Sequence, residues 1–205
     1  MSLSRLLLVA ANSKKRIKGD GNDEVKISPK LTISGRDAYE GEVVLCFQLD
    51  EKTEQGKRIR RSLDIQDENN QKRCDGLVFY SRDEKPERVI CLVEMKSTND
   101  GDAPAQLEST REHIKTLLSQ ECNSSSEECR RECERQIGRI VWKACIYHHG
   151  ASPKEQAAIQ KELKDSGFRD VEFLDRSDND LRPLLSGEGR SAKEIGKRFK
   201  NGRRR

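Results

Sequence analysis

Charged residues stand in two segments whose composition is otherwise that of β-strands. Asp75 opens the segment 74–80, and Glu94 and Lys96 close the segment 88–96, whose interior is apolar. Charges in such places cost stability, which favours a functional role for them. Two carboxylates supply the hard oxygen ligands of Mg²⁺ or Mn²⁺, and the ammonium of Lys96 adds a positive point charge. Such groups can activate water and stabilise the charge that develops when a phosphodiester is hydrolysed.

These three side chains meet only if the two segments pair in one particular register. The residues between the segments, 81–87, are polar and typical of a turn, so a β-hairpin is predicted. Because side chains alternate along a strand, Glu94 and Lys96 point to the same face of the sheet. Counting outward from the turn brings Asp75 beside them, so the sequence predicts a compact triad.

The other segments predict an α/β fold in which a central mixed β-sheet is flanked by helices. Residues 139–147 are apolar at nearly every position, as expected of a strand buried on both faces, and are predicted to lie centrally in the sheet. Residues 4–10 predict a short helix or a buried strand, and 12–30 predict a loop. Further strands are predicted at 42–49, 58–65 and 170–174, and helices at 105–118 and from 152 to near 167.

A chain of 205 residues accommodates one domain with a proper core, here assigned to 1–180. Residues 181–205 are interpreted as a basic C-terminal tail. Such a tail favours polyanions, and a plain solvated terminus is an equally open interpretation. The nucleic-acid-binding candidates in it are Lys197, Arg198, Lys200, Arg203, Arg204 and Arg205.

The segments 74–76 (Cys-Asp-Gly) and 93–96 (Val-Glu-Met-Lys) resemble the motif of the PD-(D/E)xK nuclease superfamily, with Cys74 in place of the proline. The resemblance covers residues 42–147 and implies a restriction-endonuclease-like fold. It also implies that Asp75, Glu94 and the backbone carbonyl of Met95 bind Mg²⁺ or Mn²⁺, and that Lys96 is the catalytic lysine.

Two accessory positions follow from the same resemblance. Members often carry an earlier acidic residue, for which Glu42 is chosen over Asp37 and Glu40, and a glutamine in the helix after the lysine, which Gln106 could supply. The function so implied is a metal-dependent DNA endonuclease of prokaryotic defence, such as restriction or antiviral systems, or of DNA repair. An inactive nucleic-acid-binding subunit, a ligand-activated ribonuclease and a homodimer all stay open.

The remaining candidate groups are given structural interpretations. The apolar patch at 6–11 is too short for a membrane span, and without a secretory pattern a reducing cytoplasm is the expected compartment. No zinc site is predicted, because four ligands are usually needed and Cys122, Cys129 and Cys133 have no fourth nearby. Packing or surface roles are expected for the histidines, which are His113, His148 and His149.

Overall fold

A computed structural model describes residues 24–28, 31–34, 41–49, 54–65, 73–96, 102–122, 126–148 and 152–187. The strands in this part of the chain are β1 (Glu24–Ser28), β2 (Leu31–Ser34), β3 (Val43–Gln48), β4 (Gly76–Ser81), β5 (Arg88–Met95), β6 (Ile140–Tyr147) and β7 (Asp170–Leu174). The helices are α1 (Glu54–Ser62), α2 (Ala103–Cys122), α3 (Glu127–Ile137), α4 (Pro153–Asp165) and α5 (Arg182–Ser186). The predictions for 4–10 and for the basic residues from 197 onward lie outside the described residues.

Five strands form one mixed sheet in the order β3-β4-β5-β6-β7. The first three are antiparallel neighbours, and β5, β6 and β7 run parallel to one another. The predicted α/β class with a mixed sheet flanked by helices is therefore confirmed. The central strand is β5, and the predicted central segment forms β6 beside it. None of the described helices combines the length and apolar character needed to cross a membrane.

Both faces of the sheet are covered, which explains why β5 is apolar at nearly every position. Side chains of β5 alternate between two cores: Ile90 and Leu92 join the core beneath α1, α2 and α4, whereas Cys91 and Val93 join the other. The second core is closed by β2 and by α5. The strand thus buries one set of side chains under helices and the next under β2 and α5.

The predicted strand at 58–65 is wrong, because the structure has α1 over 54–62 followed by a turn. A strand would place Ile59, Arg61 and Leu63 on one face. In the structure Ile59 and Leu63 are buried and Arg61 is exposed, which is the arrangement of a helix with apolar residues four apart. Packing of this apolar pair against the sheet decided the conformation.

Two further differences concern the ends of the described chain. The predicted loop at 12–30 contains β1, which pairs antiparallel with β2 as a separate two-stranded sheet. The short helix α5 is absent from the predicted elements, because five residues are too few to show a period. By contrast, α4 follows the prediction from local signals, and Ser152 and Glu155 form the expected capping box at its start.

A buried ion pair joins three separate parts of the chain. The Arg182 guanidinium donates to Glu42 Oε2 at 2.5 Å and to the Ser34 carbonyl at 3.1 Å. Glu42 and Arg182 are each only 7% exposed. The pair therefore ties the start of β3 and the end of β2 to α5.

We expect Arg182→Met to lower the free energy of unfolding by about 3–5 kcal/mol, because it leaves the buried Glu42 carboxylate without its arginine. The double variant Glu42→Gln/Arg182→Met should lose less, since the buried charge is also removed. Urea unfolding followed by circular dichroism measures both. The control is Arg131→Met, which removes an exposed ion pair with Glu127 and should change stability by less than about 0.5 kcal/mol. Equal losses in Arg182→Met and Arg131→Met would contradict the assigned role.

Candidate active site

The predicted triad lies where β4 begins and β5 ends. The strands pair with Gly76 opposite Val93, so the next position outward places Asp75 opposite Glu94. Glu94 continues the alternation of Ile90 and Leu92 and faces α2. The register that the turn implied is therefore present, and the structure brings the two predicted acids to one end of the sheet.

Glu94 is the most deeply buried member of this group, with 2% exposure. Its Oε1 lies 2.9 Å from Lys96 Nζ, so the two residues form an ion pair on one face of the strand. Its Oε2 is buried and has no hydrogen-bond partner among the described residues. A buried carboxylate oxygen without a donor is costly, which makes it a natural point of attachment for a cation.

Asp75 is held by the backbone of both neighbouring strands. Its Oδ2 accepts a hydrogen bond of 2.7 Å from the Met95 amide, and its carbonyl accepts one of 2.8 Å from the Leu49 amide. Because the N–H and C=O of one strand residue face the same neighbour, the Met95 carbonyl also faces the β4 side. The Lys96 amide instead donates to the Tyr147 carbonyl of β6, as this alternation requires. Asp75 and the Met95 backbone therefore share one side of β5.

Gln106 reaches the site from the first turns of α2. Lys96 Nζ donates a hydrogen bond to Gln106 Oε1, and Gln106 Nε2 lies 3.5 Å from the Arg73 carbonyl. Lys96 thus has the carboxylate of Glu94 on one side and an amide oxygen on the other. The contact agrees with the position predicted for an accessory glutamine.

Thr110 is a contributor to the site that the sequence did not indicate. Its hydroxyl donates to the Gln106 carbonyl at 2.7 Å and accepts from the Cys74 amide at 3.0 Å. The side chain is fully buried and connects α2 to the residue just before Asp75. A spacing of four from Gln106 along the helix is the only local signal, and it is common to many helical threonines.

The electrostatics of the site follow from burial and from the proximity of the two acids. Burial raises the pKa of Glu94 from its ordinary value of 4.5 to about 7, and the negative charge of Asp75 acts in the same direction. The ion pair with Lys96 and, to a smaller extent, the nearby backbone N–H of Asp75 oppose this rise. Burial also raises the pKa of the Cys74 thiol to about 12, so Cys74 stays a neutral packing group.

Glu42, the predicted accessory acid, is not brought to this site. The antiparallel pairing puts Val43 opposite Ser81, at the other end of the sheet from Asp75, and Glu42 is engaged by Arg182 there. The accessory assignment is therefore corrected: Glu42 belongs to the ion pair that holds α5. A strand close to Glu42 was predictable, but the direction of β3 relative to β4 was not.

The described histidines, His113 and His148, make contacts with groups other than the triad. The His113 ring contacts the Leu63 carbonyl at 2.9 Å, and the buried His148 ring packs edge-on against Phe173. Cys129 is an exposed free thiol, and Cys133 is disulfide-bonded. Over the described ranges, no three side chains of His, Cys, Asp or Glu converge as a metal-binding cluster.

Comparison with protein-family models, curated proteins and solved structures found no match to this chain. The chemical interpretation of the site therefore depends on its own geometry.

The raised pKa of Glu94 predicts a specific pH dependence of stability in EDTA. Between its unfolded value of 4.5 and about 7, the folded protein keeps a proton that the unfolded chain has lost. The free energy of unfolding should therefore fall as pH rises through this window, by about 3 kcal/mol, and Glu94→Gln should lack this fall. Urea unfolding from about pH 4 to about pH 8 measures it. The exposed-residue control Glu162→Gln should keep the fall, and parallel curves for Glu94→Gln and the wild type would contradict the prediction.

Proposed function

We propose that this chain is a metal-dependent nuclease of the PD-(D/E)xK type that hydrolyses phosphodiester bonds in DNA. The observation that carries the proposal is the environment of Glu94. Its buried carboxylate has Lys96 on one oxygen and no hydrogen-bond partner among the described residues on the other, and Asp75 accepts a hydrogen bond from the amide of the next residue, Met95. Two acids and one amine close together at the end of a sheet are the groups that this chemistry requires.

The residues present fit a divalent cation such as Mg²⁺ or Mn²⁺. Glu94 Oε2 is buried without a hydrogen-bond partner among the described residues, and Asp75 and the Met95 carbonyl share the adjoining side of β5. Two carboxylates and one backbone oxygen are fewer ligands than a closed cage supplies, so water and substrate phosphate would complete the shell. Mg²⁺ prefers this arrangement, because it gives up its waters reluctantly.

A bound cation would polarise the phosphoryl oxygen and lower the pKa of a coordinated water. In this proposal Lys96 would orient the attacking water or stabilise negative charge that develops on the phosphate. Its ammonium is held between Glu94 Oε1 and Gln106 Oε1, so its position does not depend on a flexible side chain alone. Gln106 is therefore a positioning residue for the lysine in this proposal.

DNA is the proposed substrate on grounds of charge and composition. The chain has a net charge of +4 and a C-terminal stretch rich in arginine, which favours a phosphate backbone. Aromatic residues make up only 4% of the chain, which does not favour stacking of single-stranded bases. The proposed setting is prokaryotic defence or DNA repair, and the restriction-endonuclease-like fold is part of the same proposal.

The first prediction from this proposal concerns metal binding without catalysis. At Mn²⁺ about 100-fold above its dissociation constant, the free energy of unfolding should rise by about 2.7 kcal/mol relative to EDTA. Asp75→Asn should abolish most of this gain, because it removes a ligand charge. The control Asp165→Asn changes an exposed acid at the end of α4 and should keep the gain. No stabilisation of the wild type by Mn²⁺ or Mg²⁺ would contradict the metal site.

The second prediction concerns cleavage of plasmid DNA, linear DNA and RNA in EDTA, Mg²⁺ or Mn²⁺. The wild type should cut DNA only with metal, and Asp75→Asn and Lys96→Met should each lower the rate by at least about 10²-fold. Asp165→Asn should cut like the wild type. Binding without cutting would support a catalytically inactive subunit instead, and cutting confined to RNA would support a ribonuclease effector. Gel electrophoresis of the products distinguishes these outcomes.

A further inference from the structure

Among the helices of the described residues, α1 is the most positively charged. It carries four basic residues against one acid, Glu54. The helix α3 shows the opposite balance, with four glutamates against three arginines. Among these helices, positive charge is therefore concentrated on α1. The basic residues of α1 are Lys57, Arg58, Arg60 and Arg61.

Three of these residues form a continuous stripe along the helix. Arg60 lies three residues and Arg61 four residues after Lys57, and residues at these spacings are neighbours on a helix surface. Ile59 and Leu63 occupy the buried side. Lys57 and Arg61 are exposed, and Arg60 is half-buried at the margin of the packed side. One side of α1 therefore presents three cationic groups, of which two are exposed to solvent and one is half-buried.

The stripe leads directly to the candidate active site. Arg60 Nη1 lies 3.4 Å from the Leu49 carbonyl, and the Leu49 amide donates to the Asp75 carbonyl at 2.8 Å. Leu49, the residue that follows β3, therefore contacts both the Arg60 guanidinium and the backbone of Asp75, a predicted metal ligand. The basic side of α1 and the acidic centre consequently lie at the same end of the sheet.

Arg73 extends the cationic surface on the α2 side. Its Nη1 donates to the carbonyl and to the hydroxyl of Ser109, both at 2.6 Å, and its own carbonyl is the group that Gln106 approaches. Partial burial lowers the pKa of Arg73, and repulsion from the nearby Arg60 acts in the same direction.

We propose that Lys57, Arg60 and Arg61, together with Arg73, bind the phosphate backbone of the DNA substrate and lead it to Asp75 and Glu94. This inference rests on the proposed nuclease function. Arginine and lysine contacts to phosphate position a duplex without reading its sequence, so the stripe supplies affinity and alignment. The exposed pair between Lys57 and Glu54 does not oppose it, because such pairs contribute little stability and are screened by salt.

The test measures binding of the full chain to a fluorescein-labelled DNA duplex of arbitrary sequence in EDTA, where metal-dependent cutting is suppressed. Fluorescence anisotropy is recorded over a series of salt concentrations. The double variant Lys57→Gln/Arg61→Gln should bind more weakly, and its log–log salt dependence should be shallower by about 1.8, or about 0.9 for each phosphate that is no longer neutralised. The charge-matched control Lys154→Gln/Lys161→Gln removes two exposed lysines from α4 and should bind like the wild type.

The outcomes separate this inference from the proposed catalysis. The stripe is overturned if the two double variants have the same affinity for duplex DNA and the same salt dependence. It is also overturned if the wild type does not bind duplex DNA, or if only binding of RNA depends on the stripe. Weaker binding by Lys57→Gln/Arg61→Gln only, in a protein that never cuts with metal, supports the stripe while the nuclease proposal fails. If this variant instead cuts DNA with metal as the wild type does, and binds it with unchanged affinity, the nuclease proposal is supported and the stripe is overturned. Urea unfolding of both variants verifies that the fold is retained.

Discussion

The Glu94 carboxyl group is held at the end of the central strand with only 2% of its surface exposed, and the rest of the site is arranged around that burial. Taking a charged group out of water costs several kcal/mol unless nearby partners compensate. Lys96 compensates on one oxygen, yet burial beside Asp75 still raises the pKa of Glu94 to about 7. A divalent cation at the second oxygen would offset the remaining cost. The burial of Glu94 is therefore the physical reason for the proposed metal binding.

The position of Glu94 is maintained by contacts that are mostly backbone in nature. The strand β5 has hydrogen-bonded neighbours on both edges, and Asp75 is joined to it through the Met95 amide. Thr110 connects α2 to the backbone just before Asp75, which sets the distance between the helix and the start of β4. Gln106 is thereby carried to Lys96. The packing of α2 on the sheet therefore sets the geometry of the site, and a change in α2 should alter the position of Lys96.

The buried ion pair of Glu42 with Arg182 and the candidate active site lie at opposite ends of the sheet. The ion pair between Glu42 and Arg182 holds the β1–β2 hairpin, β3 and α5 together on the face away from α2. The triad lies on the α2 face at the other end, beside the basic side of α1. Each of these two buried glutamates has a cationic partner, but Glu94 also has a second acid, Asp75, close enough to raise its pKa. That second acid is what distinguishes a candidate metal site from a structural pair.

The sequence by itself determined the strands β3 to β7 and the helices α2 and α4, because apolar runs, turn residues and a capping box are local signals. It also determined that Asp75 falls beside Glu94, since a hairpin with a known turn has few possible registers. Only the tertiary structure decided that 54–62 is a helix, because the apolar pair in it is stabilised by a sheet distant along the chain. It likewise decided that Glu42 pairs with Arg182 rather than joining the site. Burial, and with it the pKa of Glu94, depends on which elements pack together, and that information is not local to any segment.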